Sequence, residues 1–279
     1  MACRLKIVFA IVIVTLFAFA CAYTKKYSID KTLNQAQEHM KSDKYQSALD
    51  DYHTSHTKYP DDDRLTGDYI NTVETTKKIG DRANANEDFD KAQSIYQILL
   101  SNYSDFALFE KKLSFDRGSL KKLIAMIKVN RTDRAARQEI SKGNAQRALE
   151  LYRKVYSVGI NYPEFRNKFC ERLQEIEKNA DRAYGEGDCA QAGTAFHILI
   201  NNFLLFESFS EMLSFNPKTL REAITKCSEC LKKKGIELYR KGQIAEAVYV
   251  WESILVFDDN QEIRKAINNA SEHLRKLKR

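Results

Sequence analysis

The stretch GDRANANEDFDKAQSIY, residues 80–96, holds a small residue (Gly80), an alanine twelve positions on (Ala92) and an aromatic four further (Tyr96). One hundred residues later ADRAYGEGDCAQAGTAF, residues 180–196, repeats the pattern with Ala180, Ala192 and Phe196. The middle of each, Asn86-Glu87-Asp88-Phe89 and Glu186-Gly187-Asp188-Cys189, reads as a turn. Each stretch therefore predicts two helices meeting at a short connection. A small residue on the first helix lets the second approach closely, the alanine sits in that contact, and the aromatic one turn later fills the space beside it.

The same triplet occurs three more times: Ala36, Ala48 and Tyr52; Ala136, Ala148 and Tyr152; Gly235, Ala247 and Trp251. Turn-like stretches again fall between the first two members, at Ser42-Asp43-Lys44-Tyr45, Lys142-Gly143-Asn144-Ala145 and Lys241-Gly242-Gln243-Ile244. Five triplets at matching offsets resemble the tetratricopeptide repeat, in which a proline commonly ends the second helix, as Pro60 does after the first triplet. The resemblance implies an all-α fold: a right-handed solenoid of about five antiparallel helix pairs over residues 31–261. The repeats fall near 29–62, 73–106, 129–162, 173–206 and 228–261. The peptide-carboxylate clamp of some members is not implied, because Leu33 and Gln37 stand at the first-repeat positions where it needs a basic residue and Asn.

The anchor alanines are 44, 56, 44 and 55 residues apart, against a family period of about 34. The alternation implies a module of about 100 residues containing two repeats and two longer connections. Direct comparison supports a duplication: Asp81-Arg82-Ala83 recurs as Asp181-Arg182-Ala183, Phe106 and Phe109 as Phe206 and Phe209, and Leu113-Ser114-Phe115 as Leu213-Ser214-Phe215. The chain then ends on a largely polar helix over 262–279, suited to cap a solenoid.

Composition agrees with helices. Of 279 residues, 43% are hydrophobic and 30% charged, with only 3 Pro and 10 Gly, which excludes disordered and collagen-like classes and leaves little punctuation for an all-β fold. The formal charge of +7 is concentrated at the two ends, in Arg4 and Lys6 and in the basic run from Arg264 to Arg279. A near-neutral body offers no broad cationic face to track phosphates, so no nucleic-acid partner is expected.

Arg4 and Lys6 precede an apolar run from Ile7 to Ala20, followed at once by Cys21 and polar residues. This is the pattern of a signal peptide, read here as residues 1–20, and 14 residues are too few to span a bilayer. The ending Leu16-Phe17-Ala18-Phe19-Ala20-Cys21 resembles the bacterial lipobox, which implies lipidation of Cys21, a tether over 21–30, and an outer-membrane location facing the periplasm. Ala18-Phe19-Ala20 also fits ordinary cleavage, which would release a soluble chain.

Cys170, Cys189, Cys227 and Cys230 remain beyond that segment, and export permits disulfides. Cys170 and Cys189 are expected at opposite ends of one helix, about 28 Å apart and beyond disulfide reach. Cys227 and Cys230 lie within a helical stretch, without the second pair or the His that metal or haem would need. Phe106 to Phe115 and Phe203 to Phe215 carry apolar residues at helical spacing; they either wedge a longer connection against the preceding pair or, through Phe109 and Phe209, present aromatics to a partner. His53 and His56 beside Asp50 and Asp51 read as a solvated face, and no metal or other cofactor is expected. No phosphate-cradling loop or placed nucleophile is evident in the sequence. The expectation is a non-catalytic adaptor that binds another envelope protein in a solenoid groove. The alternatives are a soluble periplasmic or secreted solenoid that binds a small ligand or glycan, and an outer-membrane assembly lipoprotein.

Overall fold

A computed structural model describes residues 23–277. The signal segment and Cys21 lie outside the described residues. Among the described residues the chain is all-α, with no strand and with no helix long and apolar enough to cross a membrane. It divides into two compact units, up to Ile127 and from Lys128 onward.

In the first unit α1 (23–41) and α2 (Tyr45–Lys58) form one hairpin, and α3 (Asp63–Ala85) and α4 (Phe89–Ser101) the next. A short α5 (Tyr103–Phe106) and a 3₁₀ segment (Ala107–Lys112) lead into α6 (Arg117–Ser141), within which the division between units falls. Helix α3 packs on both α2 and α4. Its buried face runs through Leu65, Tyr69, Val73, Thr76, Gly80 and Ala83, the three-and-four spacing of a core-facing helix.

The second unit contains the rest of α6, then α7 (Ala145–Gly159), α8 (Pro163–Gly185), α9 (Cys189–Asn201), two 3₁₀ segments (Phe203–Leu205, Glu207–Met212), α10 (Pro217–Arg240), α11 (Ile244–Ile254) and α12 (Gln261–Leu277). From α8 to α12 each helix packs on the next, and α9 also touches α7 and α11. Antiparallel pairs stacked in sequence order place the chain in the α-solenoid class of helical repeats.

Five hairpin turns share one device. Asp43, Glu87, Gly143, Gly187 and Gly242 all adopt positive φ, between 58° and 86°, which reverses the chain within three residues. At Gly143, Gly187 and Gly242 the absence of Cβ removes the cost of that conformation.

The alternating spacing follows from the connections. Four and three residues join α2 to α3 and α7 to α8, whereas 15 residues join α4 to α6 and α9 to α10, carrying the 3₁₀ segments. The first helices of the second to fifth pairs run 23 to 25 residues, against 11 to 15 for the second helices of the five pairs. They start earlier than a 34-residue period would place them because their N-termini are fixed by caps. Asp62 accepts from the Leu65 amide, Pro163 opens α8, and Asn216 forms a capping box with Thr219.

Two expectations are corrected. Residues 23–30, read as part of a polar tether, are helical and Ile29 is buried. No Gly or Pro interrupts this stretch, and Ile29, Leu33 and Ala36 share one face. Cys170 and Cys189 do not belong to one helix. The chain turns at Gly187, so Cys170 lies in α8 and Cys189 opens α9.

Candidate binding groove

The aromatic and small residues of the triplets lie inside the two units. Ala36, Ala48, Tyr52, Gly80, Ala92 and Tyr96 are buried in the first. Ala136, Ala148, Tyr152, Ala180, Ala192, Phe196, Gly235, Ala247 and Trp251 are buried in the second. A Cβ added to Gly80 would stand 2.8 Å from the Tyr96 ring, and one added to Gly235 would stand 2.2 Å from Trp251 Nε1. The aromatic of each of these two hairpins, rather than its alanine, covers the glycine.

Each unit contains the same set of rings, offset by 100 residues. Tyr52 stacks on Tyr69 (5.5 Å between centroids, 7° between planes), as Tyr152 does on Phe169 (4.4 Å, 9°). Phe109 meets Tyr69 edge-on at 5.6 Å, and Phe209 lies tilted against Phe169 at 5.8 Å. Phe106 and Phe115 pair edge-on, as do Phe206 and Phe215. Phe109 and Phe209 are each only 5% exposed. Of the two readings left open above, the burial fits the wedge and not the partner-facing one: the 3₁₀ segments turn both rings inward against the preceding hairpin.

The second unit carries a buried ionic centre. Asp133 of α6, its side chain 3% exposed, accepts a 2.5 Å hydrogen bond from the Tyr152 hydroxyl and lies 3.0 Å from Arg137, 3.4 Å from Arg172 and 3.7 Å from Lys168. Arg172 also pairs with Glu171 at 3.0 Å and with Glu175. Opposite charges surround the carboxylate, as a buried charge requires.

Beside this centre lies a groove with a cavity volume of about 850 Å³. Ile176, Ala180 and Ala183 of α8 with Ala190, Ala195 and Ile198 of α9 form an apolar, mostly small floor. The stripe Glu175, Asn179, Arg182 and Glu186, together with Lys178, supplies a charged wall from α8. Gln191 and Thr194 of α9, Ser141 near the preceding turn and Val256 beyond α11 complete the lining. The floor is small because α8 and α9 are the closely packed pair of the fourth triplet. An apolar floor with a polar wall suits a ligand that is buried on one side and oriented by a few polar contacts.

Cys189 also forms a disulfide with Cys230 of α10, with Cα atoms 6.4 Å apart. The bond ties the start of α9, next to the groove residues Ala190 and Gln191, to the neighbouring helix. Cys170 and Cys227 are free and buried, and burial pushes both thiols up to about 11. Neither His53 nor His56 belongs to a metal-binding cluster; groups of three or more His, Cys, Asp or Glu able to hold a metal are absent among the described residues.

No protein family matches the chain, and no curated protein does. Among solved structures, it is similar to one described as a circular tandem repeat protein with novel repeat topology and enhanced subunit contact surfaces. The identity is 12% and the TM-score 0.25, over 89% of this chain and 63% of that protein's length.

Proposed function

We propose that the chain is a divergent, right-handed tetratricopeptide-repeat protein of a bacterial cell envelope that binds a segment of another envelope protein, without catalysis, in the groove over α8 and α9. The observation that carries this reading is the groove itself: a cavity of about 850 Å³ with a small apolar floor and a charged wall. It offers shape and a few polar contacts to a ligand lying over an apolar floor. The repeat assignment is supported by the five triplets and by the shared positive-φ turn of each hairpin.

Export by the first twenty residues and lipid attachment at Cys21, placing the protein at the outer membrane facing the periplasm, complete the proposal. The Cys189–Cys230 disulfide supports an oxidising compartment. A lipid anchor would hold the groove near membrane-bound partners and raise their effective concentration. The cavity volume also falls in the range of small-molecule sites, which favours a released solenoid binding a small ligand or glycan as the second reading.

The test is in-cell crosslinking and affinity purification of the wild-type chain, Cys21→Ala, and Ala195→Trp, which fills the groove. A small stoichiometric set of envelope proteins lost with Ala195→Trp, and a membrane association lost with Cys21→Ala, are the expected results. An unchanged partner set with Ala195→Trp overturns the groove reading. A Cys21→Ala chain still in the membrane fraction overturns the lipid anchor.

A further inference from the structure

Lys178 and Arg182 stand one turn apart on α8, both on the groove wall, with Cβ atoms about 6 Å apart as for any such pair on a helix. Two other cations of α8 are engaged: Lys168 and Arg172 face Asp133, and Arg172 also holds Glu171 and Glu175. Lys178 and Arg182, by contrast, meet no acidic side chain among the described residues. Of the two acids lining the groove, Glu175 is held by Arg172, and Glu186 stands at the end of α8 where the chain turns. The middle of the wall is therefore locally cationic and uncompensated, directly above a floor of alanines.

We propose that the occupant of the groove is an acidic peptide segment. Its small or apolar residues lie over Ala180, Ala183 and Ala195, and one carboxylate sits between Lys178 and Arg182. The inference rests on the groove reading above and adds the chemistry of the partner. The small floor lets a peptide backbone approach closely, and a carboxylate held between two cations forms charge-assisted hydrogen bonds that fix its register. Glu186, on the lining at the end of α8, disfavours a second acidic residue there, which limits the segment to a single central acidic position.

The test is selection of a random 12-residue peptide library on the full chain, followed by binding of the synthesised winners to wild type, Lys178→Glu/Arg182→Glu and Ala195→Trp. Thermal melts confirm that each variant folds. The expected winners carry Asp or Glu at a constant distance from Ala, Val or Leu, lose affinity at least tenfold in the charge-reversed variant, and fail to bind Ala195→Trp. Winners blocked by Ala195→Trp but lacking an acidic residue, or indifferent to charge reversal, overturn the acidic occupant and leave the groove reading standing. Selection of no peptide, or only of peptides that still bind Ala195→Trp, overturns both.

Discussion

Phe109 meets Tyr69 edge-on with ring centres 5.6 Å apart, and the same two positions one hundred residues later, Phe209 and Phe169, lie 5.8 Å apart. The relationship ties each irregular 3₁₀ connection to the first helix of the preceding hairpin. A fifteen-residue connection without such an anchor would leave the hairpin's apolar end open to water.

Replacing Phe109 or Phe209 by alanine should therefore destabilise the unit that holds it by about 3–5 kcal/mol, the range for emptying a buried phenylalanine site. Chemical denaturation followed by circular dichroism measures it. A loss below about 1 kcal/mol would mean that the rings do not close the hairpin ends.

Gly235 lies under Trp251, the single tryptophan, whose Nε1 donates to the Lys232 carbonyl at 3.4 Å. Gly235→Ala places a methyl 2.2 Å from Nε1, which must displace the ring. The expected cost is about 1–3 kcal/mol, with tryptophan emission shifted to longer wavelength. Gly67 in the second turn of α3 is the control: a Cβ there meets nothing within 4 Å, so Gly67→Ala should stabilise by about 0.5–1 kcal/mol.

The hairpins were legible because their signals are local. A small residue, a turn and an aromatic all fall within seventeen positions, and duplication makes the pattern visible twice. Other features depend on contacts that are distant in sequence. Cys189 and Cys230 are 41 positions apart and meet only because α9 packs on α10, so their pairing had no local mark, whereas the conspicuous Cys227 and Cys230 lie one turn apart on one helix. The long first helices could have been read from Asp62, Pro163 and Asn216, but a 34-residue period hides those caps. Phe109 and Phe209 show why exposure escapes a one-dimensional reading: their spacing is the same whether the rings face the core or a partner. The groove wall on α8 looks in sequence like any solvated helix face. It becomes the wall of a groove only where Ala190, Ala195 and Ile198 of α9 complete the floor.

The disulfide closes a loop between positions 41 apart, worth up to about 4 kcal/mol in the chain-entropy account. Reduction, or Cys189→Ser with Cys230→Ser, should lower the denaturation midpoint, while Cys227→Ser leaves the crosslink in place. Iodoacetamide at pH 8 should modify neither Cys170 nor Cys227 in the folded chain, since burial raises both thiols to about 11. Unfolding without reductant should expose these two but not Cys189 or Cys230. The folded pKa values exceed those of the unfolded thiols, so this contribution to stability is complete below the ordinary thiol range and is lost as pH rises towards 11. Rapid native labelling of Cys227, or labelling of Cys189 without reductant, contradicts this account.

Asp133 should be the least replaceable polar residue of the second unit. Its side chain is 3% exposed and lies within 3.7 Å of Arg137, Lys168 and Arg172, while the Tyr152 hydroxyl donates to it. Removing the carboxylate takes away the partner that Arg137, Lys168 and Arg172 share, and losing one member of a buried ionic cluster costs up to about 3–5 kcal/mol. Tyr152→Phe keeps the ring stacked on Phe169 and removes one donor, which should cost about 1 kcal/mol. If the hydroxyl acts only through Asp133, the double variant Asp133→Ala/Tyr152→Phe loses less than the sum of the two single losses, because the second substitution has nothing left to disrupt. Because Arg172 also fixes Glu175 beside the groove, Asp133→Ala should weaken binding of any groove peptide even at temperatures where the chain remains folded. Additive losses, or unchanged peptide affinity, would detach the ionic centre from the groove and leave it a purely local element of the α6–α8 packing.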